Sequence, residues 1–550
     1  MSRAAPNMTD YAATMQEFRL TVPERFNWAF DTFDHWARDP TKLALLWVSA
    51  DGQPRYFSYA EVGERSRRVA NALGGLGVWP GDRVFVMLPR VYQWWEIVLG
   101  CLRARAVSVP GTTLLTAKDI VYRLNACEAA VVITDEENRW KVDQARRECP
   151  TVRHCVVVGR AGGGWLGYED LLSLAPARMR HPENASGDPM MLYFTSGTTG
   201  HPKMVLHTHA SYPIGHLVTG RFWLDHGPDD LHWTLSDTGW AQAAWTCLFA
   251  PWNMGAAVFV WDARGKRFEP GDTLAMLERF PISTFFAPPT AYRMLVQEPL
   301  RKHRFRALRH CMGAGEAVNP EVIEAWREGT GHHIHEGYGQ TETVLLAATF
   351  PATPWKPGSM GPAAPGHVLA IVDDEGRELP RGTEGDLAVQ VRPERPVGMF
   401  TGYWKNEEAT ARCHRGDWYV TGDRASMDED GYLWFVGRAD DVITSASYRI
   451  GPFEVESALV EHAAVAEAAV IGKADPLRGE IVKAFVVLAA GRRPSPALVT
   501  ELQEHVKRVT APYKYPREIE FVPDLPKTIS GKIRRTELRQ MERDRASRRP

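Results

Sequence analysis

The stretch YFTSGTTGHPK, from Tyr193 to Lys203, decides how the rest of the chain is interpreted. It joins the end of an apolar β-run to a loop of threonine, serine and glycine that closes on a lysine. Gly197 and Gly200 permit the backbone angles with which successive N–H groups surround phosphate oxygens, and the lysine adds charge. Two residues separate Gly200 from that lysine, so the Walker A spacing is absent and a P-loop NTPase is disfavoured. The stretch predicts a phosphate-binding loop after a buried strand.

Apolar β-runs alternate with helical stretches around this loop. The runs RVFVMLP (83–89), AAVVIT (129–134) and MMLYFT (190–195) have the composition of buried strands, whereas Tyr59 to Leu76 has helical periodicity. This alternation predicts βαβ units and an α/β fold. From about Gly358 to Leu433, short runs separated by Gly, Pro and Asp predict a smaller β-rich subdomain.

The end of the chain predicts a compact α+β domain that is large enough to fold alone. We place its boundary near Asp440, after VGRADD, which divides the chain into domains 1–439 and 440–550. The predicted fold is therefore a large N-terminal domain of α/β subdomains plus a small β-rich subdomain, followed by a small C-terminal domain. The elements predicted in that last domain are Pro452 to His462, Ala464 to Ile471, Ile481 to Leu488, Ala497 to Val509, Ile519 to Val522 and Ile533 to Asp544.

Composition limits the functional classes. The 550 residues are 44% apolar and 24% charged with a formal charge of -2, which argues against disorder and against nucleic-acid binding as the main function. No stretch approaches 18 consecutive apolar residues, so no membrane span is expected. Seven scattered cysteines without a CxxC pair predict reduced thiols. Asp10 and Glu17 argue against an organelle-targeting segment, and we therefore predict a cytoplasmic location.

Five further motifs follow the phosphate loop. They are GAGEAVNP (313–320), EGYGQTE (336–342), WYVTGDRA (418–425), GRADDVITSASYRIGPFEVE (437–456) and LPKTISGKIRR (525–535). In this order the series resembles the adenylate-forming superfamily, which includes acyl-CoA synthetases, peptide-synthetase adenylation domains and luciferases. The motifs span most of the chain, and looser similarity continues upstream.

The resemblance implies a binding site for Mg-ATP. In family members the motifs GAGEAVNP and EGYGQTE sandwich the adenine, Thr341 contacts the α-phosphate and the acyl carboxylate, and Glu342 helps to hold Mg²⁺. Asp423 would accept hydrogen bonds from both ribose hydroxyls. The residues expected to bind the nucleotide are Thr195, Ser196, Gly197, Thr198, Thr199, Gly200, Lys203, Gly315, Glu316, Ala317, Glu336, Gly337, Tyr338, Gly339, Gln340, Asp423 and Arg438.

The resemblance also implies two half-reactions at one site. Lys532 matches the catalytic lysine, which acts with Thr341 and Glu342 while an acyl-adenylate forms and pyrophosphate leaves. The mobile C-terminal domain then swings about a hinge at Asp440 and presents a surface for coenzyme A. Matched by position, the CoA-binding residues would be Ser447, Tyr448, Arg449, Arg478, Tyr515 and Arg517.

Two positions bear on the substrates. Most acyl-CoA synthetases have a glycine where this chain has Ser447, so thioester formation is less certain than adenylation. Acetate-type ligases carry a pocket-blocking tryptophan where this chain has Gly339, which predicts a deeper acyl pocket here. The segment LSDTGWAQAAWTCLFAPW (235–252) resembles the medium-chain branch, and it favours C4–C10, branched or aryl acids with Trp240 lining the pocket.

The sequence thus favours an AMP-forming acid:CoA ligase that uses ATP, Mg²⁺ and coenzyme A. An adenylating enzyme that passes its acyl group to a carrier-protein thiol or an amine is the first alternative, favoured by Ser447. A non-catalytic nucleotide-binding scaffold and an ADP-forming ATPase are disfavoured by the retained motif residues and by the missing Walker spacing. Homo-oligomerisation is left open.

Overall fold

The computed structural model describes residues 5–195, 202–264, 266, 268–445, 448–475, 478–528 and 532–547. Within them the strands form four sheets, of which two have eight strands and two have five. The first three sheets belong to the N-terminal part of the chain, and the fourth is built from Ile443 onward. The predicted architecture, α/β subdomains with a β-rich subdomain and a separate small C-terminal domain, is confirmed.

The first sheet carries the strand that leads into the phosphate loop. It is parallel through its centre and antiparallel at the edge where Pro189–Thr195 pairs with Lys203–Thr208. The three strands predicted from apolar runs all lie in it. In spatial order its strands are Gly402–Tyr403, Lys203–Thr208, Pro189–Thr195, Val107–Pro110, Arg83–Met87, Ala129–Asp135, His154–Val158 and Leu166–Gly167.

The second sheet carries two of the glycine-containing motifs, because the strands His310–Ala314 and Ile334–Gly339 run into them. Its centre is parallel and its two edge pairs are antiparallel. In spatial order its strands are Leu345–Ala348, Ile334–Gly339, His310–Ala314, Thr284–Phe286, Leu231–Thr234, Ala257–Trp261, Leu43–Val48 and Pro54–Ser58.

The third sheet is the predicted β-rich subdomain, and all its pairings are antiparallel. Its longest strand, Trp418–Met427, contains the WYVTGDRA motif. The remaining strands are Leu369–Val372, Gly385–Gln390, His414–Arg415 and Leu433–Arg438.

The fourth sheet and three helices form the C-terminal domain, and all six elements predicted there are confirmed within a few residues. Apolar residues of Val465–Asp475 and Gly479–Leu488 pack with those of Pro452–Val460 into a separate core. The strands are Tyr448–Ile450, Ile443–Ser445, Gly479–Leu488, Val465–Asp475 and Glu518–Phe521. The helices are Pro452–Val460, Pro496–Val509 and Arg535–Ser547.

Helices cover the first two sheets. The predicted helix at Tyr59 runs to Gly75, and it begins with a capping box in which Ser58 and Glu61 bond each other's backbone N–H. No helix in the described ranges is long and apolar enough to span a membrane. The other α-helices are Tyr11–Glu17, Asp34–Trp36, Gln93–Arg103, Ala117–Cys127, Arg139–Ala145, Tyr168–Leu174, Ser211–Val218, Ala241–Ala244, Ala250–Asn253, Pro270–Arg279, Pro289–Leu295, Pro320–Thr330 and Glu407–Arg412.

Candidate active site

The motifs GAGEAVNP and EGYGQTE lie side by side at one edge of the second sheet. Their strands are parallel neighbours in which Ala314 pairs with Gly337. The two loops that follow these strands therefore begin at the same carboxyl edge of the sheet. Gly315 has φ +99°, a backbone conformation that side chains disfavour, and the space around it is open. Glu316 and Ala317 follow it, half-buried, and Glu316 lies 3.7 Å from the guanidinium of Arg293.

Glu336 fixes the backbone around these loops through hydrogen bonds. Its buried carboxyl accepts the backbone N–H of Val318 at 3.0 Å and that of Gly358 at 3.2 Å. Burial raises the pKa of Glu336 to about 8, although both N–H groups oppose the rise. The side chain therefore positions the GAGEAVNP motif, and both of its oxygens face protein backbone.

This carboxyl predicts a pH-dependent stability. Its native pKa of about 8 exceeds the ordinary 4.5, so the native state holds a proton that the unfolded state releases. Its contribution is complete below pH 4.5 and is lost as the pH rises toward 8, at roughly 1.4 kcal/mol per pH unit. We expect the free energy of unfolding of the wild type, measured with denaturant, to fall between pH 5 and 8 by an amount that Glu336→Gln does not show. The substitution also lowers the free energy of unfolding by an amount that does not depend on pH, because an amide N–H then faces a backbone N–H. If the pH profiles of the two proteins are parallel, this assignment is contradicted.

The buried carboxylate of Asp423, in the third sheet, is the centre of a hydrogen-bond cluster that also includes Tyr338 of the second sheet. One carboxylate oxygen accepts Arg438 Nη1 at 2.9 Å, and the other accepts the Tyr338 hydroxyl at 2.5 Å and Gln340 Nε2 at 2.8 Å. Gln340 Nε2 also donates to the Thr421 carbonyl at 2.9 Å. The structure thus brings together four residues that the sequence placed at the nucleotide.

The cluster limits how Asp423 can bind a ribose. A carboxylate has about four acceptor positions, and three donors already occupy three of them. One sugar hydroxyl can be accepted beside Arg438, whereas a second requires Tyr338 or Gln340 to give up its bond. If Asp423 accepts both ribose hydroxyls, as the sequence predicts, either Tyr338 or Gln340 of the EGYGQTE motif would have to move.

Thr341 and Glu342 are held through their main chains. The Thr341 carbonyl accepts His207 Nε2 at 2.7 Å and the Tyr212 hydroxyl at 3.2 Å. The Glu342 carbonyl accepts the backbone N–H of Phe400 at 2.8 Å. Both side chains are half-buried.

Glu342 also lies close to the end of the phosphate loop. Its Oε1 accepts the Tyr403 hydroxyl at 2.7 Å, and Lys203 Nζ lies 4.7 Å from the centre of the Tyr403 ring. Burial raises the pKa of Glu342, while the hydrogen bond from Tyr403 and the charges of Lys203 and Arg438 oppose the rise. The loop residues Ser196, Gly197, Thr198, Thr199 and Gly200 lie outside the described part, and Thr195 ends the strand before them.

The acyl-pocket prediction at Gly339 has a structural counterpart in Trp245. A Cβ added to Gly339 would lie 2.7 Å from Trp245 Cη2 and 2.3 Å from the Val344 carbonyl oxygen. Trp240 lies half-buried at the start of the helix Ala241–Ala244. The ring against Gly339 is thus Trp245, one of several closely spaced tryptophans that sequence reasoning could not single out. Trp245 starts a π-helical turn, a feature frequent at functional sites.

The C-terminal residues lie in separate segments of the small domain. Lys532 is exposed, and its backbone N–H donates to Thr528 Oγ1 at 3.0 Å. Tyr448 stacks on Tyr513 at 4.1 Å, and Arg517 Nη1 donates to the Tyr515 hydroxyl at 3.1 Å. Arg478 is exposed in the turn before Gly479, whereas Ser447 and the side chain of Arg449 lie outside the described part.

Comparisons with known proteins give a consistent result. Residues 32–404 match the model described as "AMP-binding enzyme", and residues 454–532 match "AMP-binding enzyme C-terminal domain". "Acyl-coenzyme A synthetase ACSM3, mitochondrial" from Mus musculus is 47% identical over 98% of this chain and 94% of its own length. "Acyl-coenzyme A synthetase ACSM5, mitochondrial" from Homo sapiens is 48% identical over 95% and 92%. The solved "anthranilate CoA ligase AuaEII in complex with anthranoyl-AMP" has a TM-score of 0.87 and 32% identity, over 96% of this chain and 99% of that one.

The names of these relatives contradict the cytoplasmic location predicted from the sequence, because both are called mitochondrial. The prediction rested on unpaired cysteines and on acidic residues near the start of the chain. Reduced thiols are compatible with any reducing compartment of a cell, so they could not distinguish one compartment from another. The cytoplasmic prediction is therefore wrong.

Proposed function

The chain belongs to the AMP-binding enzyme family, in which it is an ATP-dependent, AMP-forming acid:CoA ligase of the medium-chain acyl-CoA synthetase branch, and we propose that its acids are medium-chain, branched or aromatic. The observation that carries this proposal is Gly339, which has no side chain and faces the indole of Trp245. An apolar wall beside a glycine suits an alkyl or aryl group better than acetate. The anthranoyl-AMP held by a solved relative is an aryl adenylate, which supports the same choice.

We propose that the first half-reaction takes place between the phosphate loop and Thr341. The acid's carboxylate oxygen attacks the α-phosphorus of ATP, and the bond to the departing pyrophosphate breaks. Lys203 supports this role because its ammonium lies at the end of the loop, near Glu342. Lys532 would add positive charge as the transition state develops. Asp423, Tyr338, Gln340 and Arg438 would hold the nucleoside.

The residues present fit a magnesium ion that arrives with ATP. Glu342 is a hard oxygen donor whose raised pKa reflects burial with incomplete compensation by positive charge. Tyr403 occupies Oε1 and orients the carboxylate. Bound there, Mg²⁺ would neutralise charge on the phosphates, and Glu342 would hold it in place.

We place the domain boundary at Asp440, with domains 1–439 and 440–550, and propose this residue as the hinge. Two residues before it, Arg438 bonds to Asp423 of the third sheet at 2.9 Å. Immediately after it, Asp441 pairs with Arg539 at 2.7 Å and with Arg535 at 3.5 Å, both on the last helix. The chain changes its attachment from one domain to the other across these positions, which supports a pivot between them.

For the second half-reaction we propose that coenzyme A binds along Tyr448, Arg478, Tyr515 and Arg517, together with Ser447 and Arg449. Half-exposed aromatic rings beside guanidinium groups suit the adenine and phosphates of that substrate. The CoA thiolate would attack the acyl carbonyl carbon. The bond between that carbon and the phosphate oxygen would break, and AMP would leave with its electrons.

The acyl-pocket wall yields a direct prediction. We expect Trp245→Ala to raise the ratio of kcat/KM for octanoate over butyrate by about tenfold or more, because removing the indole opens space beside Gly339. Steady-state pyrophosphate release measures both constants. Trp240→Ala is the matched control, and a shift in that variant with none in Trp245→Ala would identify Trp240 as the wall.

Acid-dependent ATP–pyrophosphate exchange tests the proposed substrate class. The panel is acetate, butyrate, hexanoate, octanoate and benzoate at equal concentrations. We expect the highest exchange with one of the last four acids and the lowest with acetate. A preference for acetate would contradict the proposal.

A further inference from the structure

Tyr212 lies between the acyl-pocket wall and the main chain of Thr341. Its hydroxyl accepts the indole Nε1–H of Trp245 at 2.8 Å and donates to the Thr341 carbonyl oxygen at 3.2 Å. Tyr212 is fully buried and Trp245 is 4% exposed, so water does not compete readily for these bonds. A single hydroxyl therefore joins a residue that contacts Gly339 to a residue two positions beyond it.

The Thr341 carbonyl has a second side-chain donor in His207, whose Nε2 lies 2.7 Å away. A carbonyl oxygen only accepts, so Nε2 carries the proton and Nδ1 accepts from Ser211 Oγ at 3.0 Å. The His207 and Tyr212 rings are 3.7 Å apart. Two buried side chains in contact thus fix the carbonyl of Thr341, and Tyr212 is the one that also reaches the acyl pocket.

The indole of Trp245 occupies the space that a side chain at Gly339 would fill, with Cη2 2.7 Å from that Cβ position. If the acid enters beside Gly339, as proposed, a chain that extends past this residue would displace the ring. Displacement separates Nε1–H from the Tyr212 hydroxyl, whereas a short acid leaves the bond intact. The length of the acid would therefore affect the hydrogen bond of Tyr212 as well as the position of the Trp245 ring.

We infer that Tyr212 is a positioning residue that couples the length of the acid, sensed by Trp245, to the placement of Thr341. This inference rests on the proposed function, since it assumes that the acid enters beside Gly339. In this role Tyr212 acts through Trp245 and Thr341 and not on the reacting atoms themselves. It holds the Thr341 carbonyl through one bond and opposes movement of Trp245 through the other.

The two bonds give separate readouts in Tyr212→Phe. Loss of the bond to Thr341 lowers kcat by about tenfold with every acid. Loss of the bond to Trp245 removes a barrier to displacing the indole, so the ratio of kcat/KM for octanoate over butyrate rises by about tenfold. A merely structural role would lower activity without changing this ratio.

A double-mutant cycle on pyrophosphate release tests the coupling. Trp245→Phe removes both the indole N–H and part of the ring volume. In the Tyr212→Phe background the hydroxyl that accepts this N–H is already absent, so there the same substitution measures the effect of ring volume alone. We expect the octanoate-to-butyrate ratio to rise less in that background than in the wild type, by about tenfold. Tyr59→Phe is the matched control, because it removes a fully buried hydroxyl that donates to a distant carbonyl, that of Ala256 at 2.9 Å.

Additive effects of the two substitutions on the ratio would overturn the coupling, and an unchanged kcat in Tyr212→Phe would overturn the link to Thr341. If Tyr212→Phe does not fold, an unchanged ratio in Trp245→Phe still overturns the inference, because loss of the N–H and loss of ring volume should both raise the ratio. A wild type that releases no pyrophosphate with any acid would instead overturn the proposed function, and the inference with it.

Discussion

Lys532→Ala is expected to slow acyl-adenylate formation by about 10²–10³-fold, because it removes a positive charge that offsets the charge developing at the α-phosphate. Thioester formation from preformed acyl-adenylate and coenzyme A is expected to stay near the wild-type rate, since the proposed rotation of the domain would remove the lysine from the site. The lysine loop is closed by backbone bonds: Thr528 N–H donates to the Lys532 carbonyl at 2.6 Å, and Lys527 bridges to Ile533. The alanine variant should therefore fold. Pyrophosphate release and thioester formation are measured separately.

Lys527→Ala is the matched control for this prediction. Lys527 lies in the same loop, and its ammonium pairs with Glu467 at 2.6 Å. Removing it deletes a lysine of the same loop without removing a charge from the proposed reaction, so adenylation should change by no more than about twofold. Equal losses in both half-reactions of Lys532→Ala would show that the lysine has a general role and would contradict domain alternation.

Glu342→Gln is expected to lower the adenylation rate by about 10²-fold and to raise the Mg²⁺ concentration needed for half-maximal rate. Glutamine keeps the shape of the side chain and can still accept the Tyr403 hydroxyl through its amide oxygen. It lacks the negative charge that makes a carboxylate a good ligand for a hard cation. Initial rates across a Mg²⁺ titration at fixed ATP measure both effects.

Tyr403→Phe separates the charge of Glu342 from its orientation. It removes the hydrogen bond but leaves the carboxylate, so the Mg²⁺ requirement should stay closer to wild type than in Glu342→Gln. An unaltered Mg²⁺ dependence in Glu342→Gln would place the metal elsewhere in the site.

The fold could be predicted from local patterns because its elements have clear periodicity and boundaries. The C-terminal domain is an example: buried runs such as Val465–Asp475 and Gly479–Leu488 are strands, and Pro496–Val509 begins with a serine cap before proline. The order of strands in the two eight-stranded sheets could not be predicted in this way, because neighbours such as Leu43–Val48 and Ala257–Trp261 are more than 200 residues apart.

Predictions for the site were strongest where a motif carried them. Asp423 and Arg438 belong to different motifs, and the structure pairs them. The roles of Glu336 and Tyr212 depend on which buried groups each side chain meets, and no spacing in the sequence encodes that. Trp245 required the geometry around Gly339, since all the neighbouring tryptophans have the same chemistry.

Product analysis tests the central claim most directly. The protein is incubated with ATP, Mg²⁺, coenzyme A and the acid that gives the highest exchange, and AMP, ADP, pyrophosphate and thioester are quantified together. An acid:CoA ligase that works through an acyl-adenylate produces AMP, pyrophosphate and acyl-CoA in equal amounts and no ADP. Formation of ADP, or of AMP and pyrophosphate without a CoA thioester, would contradict the account.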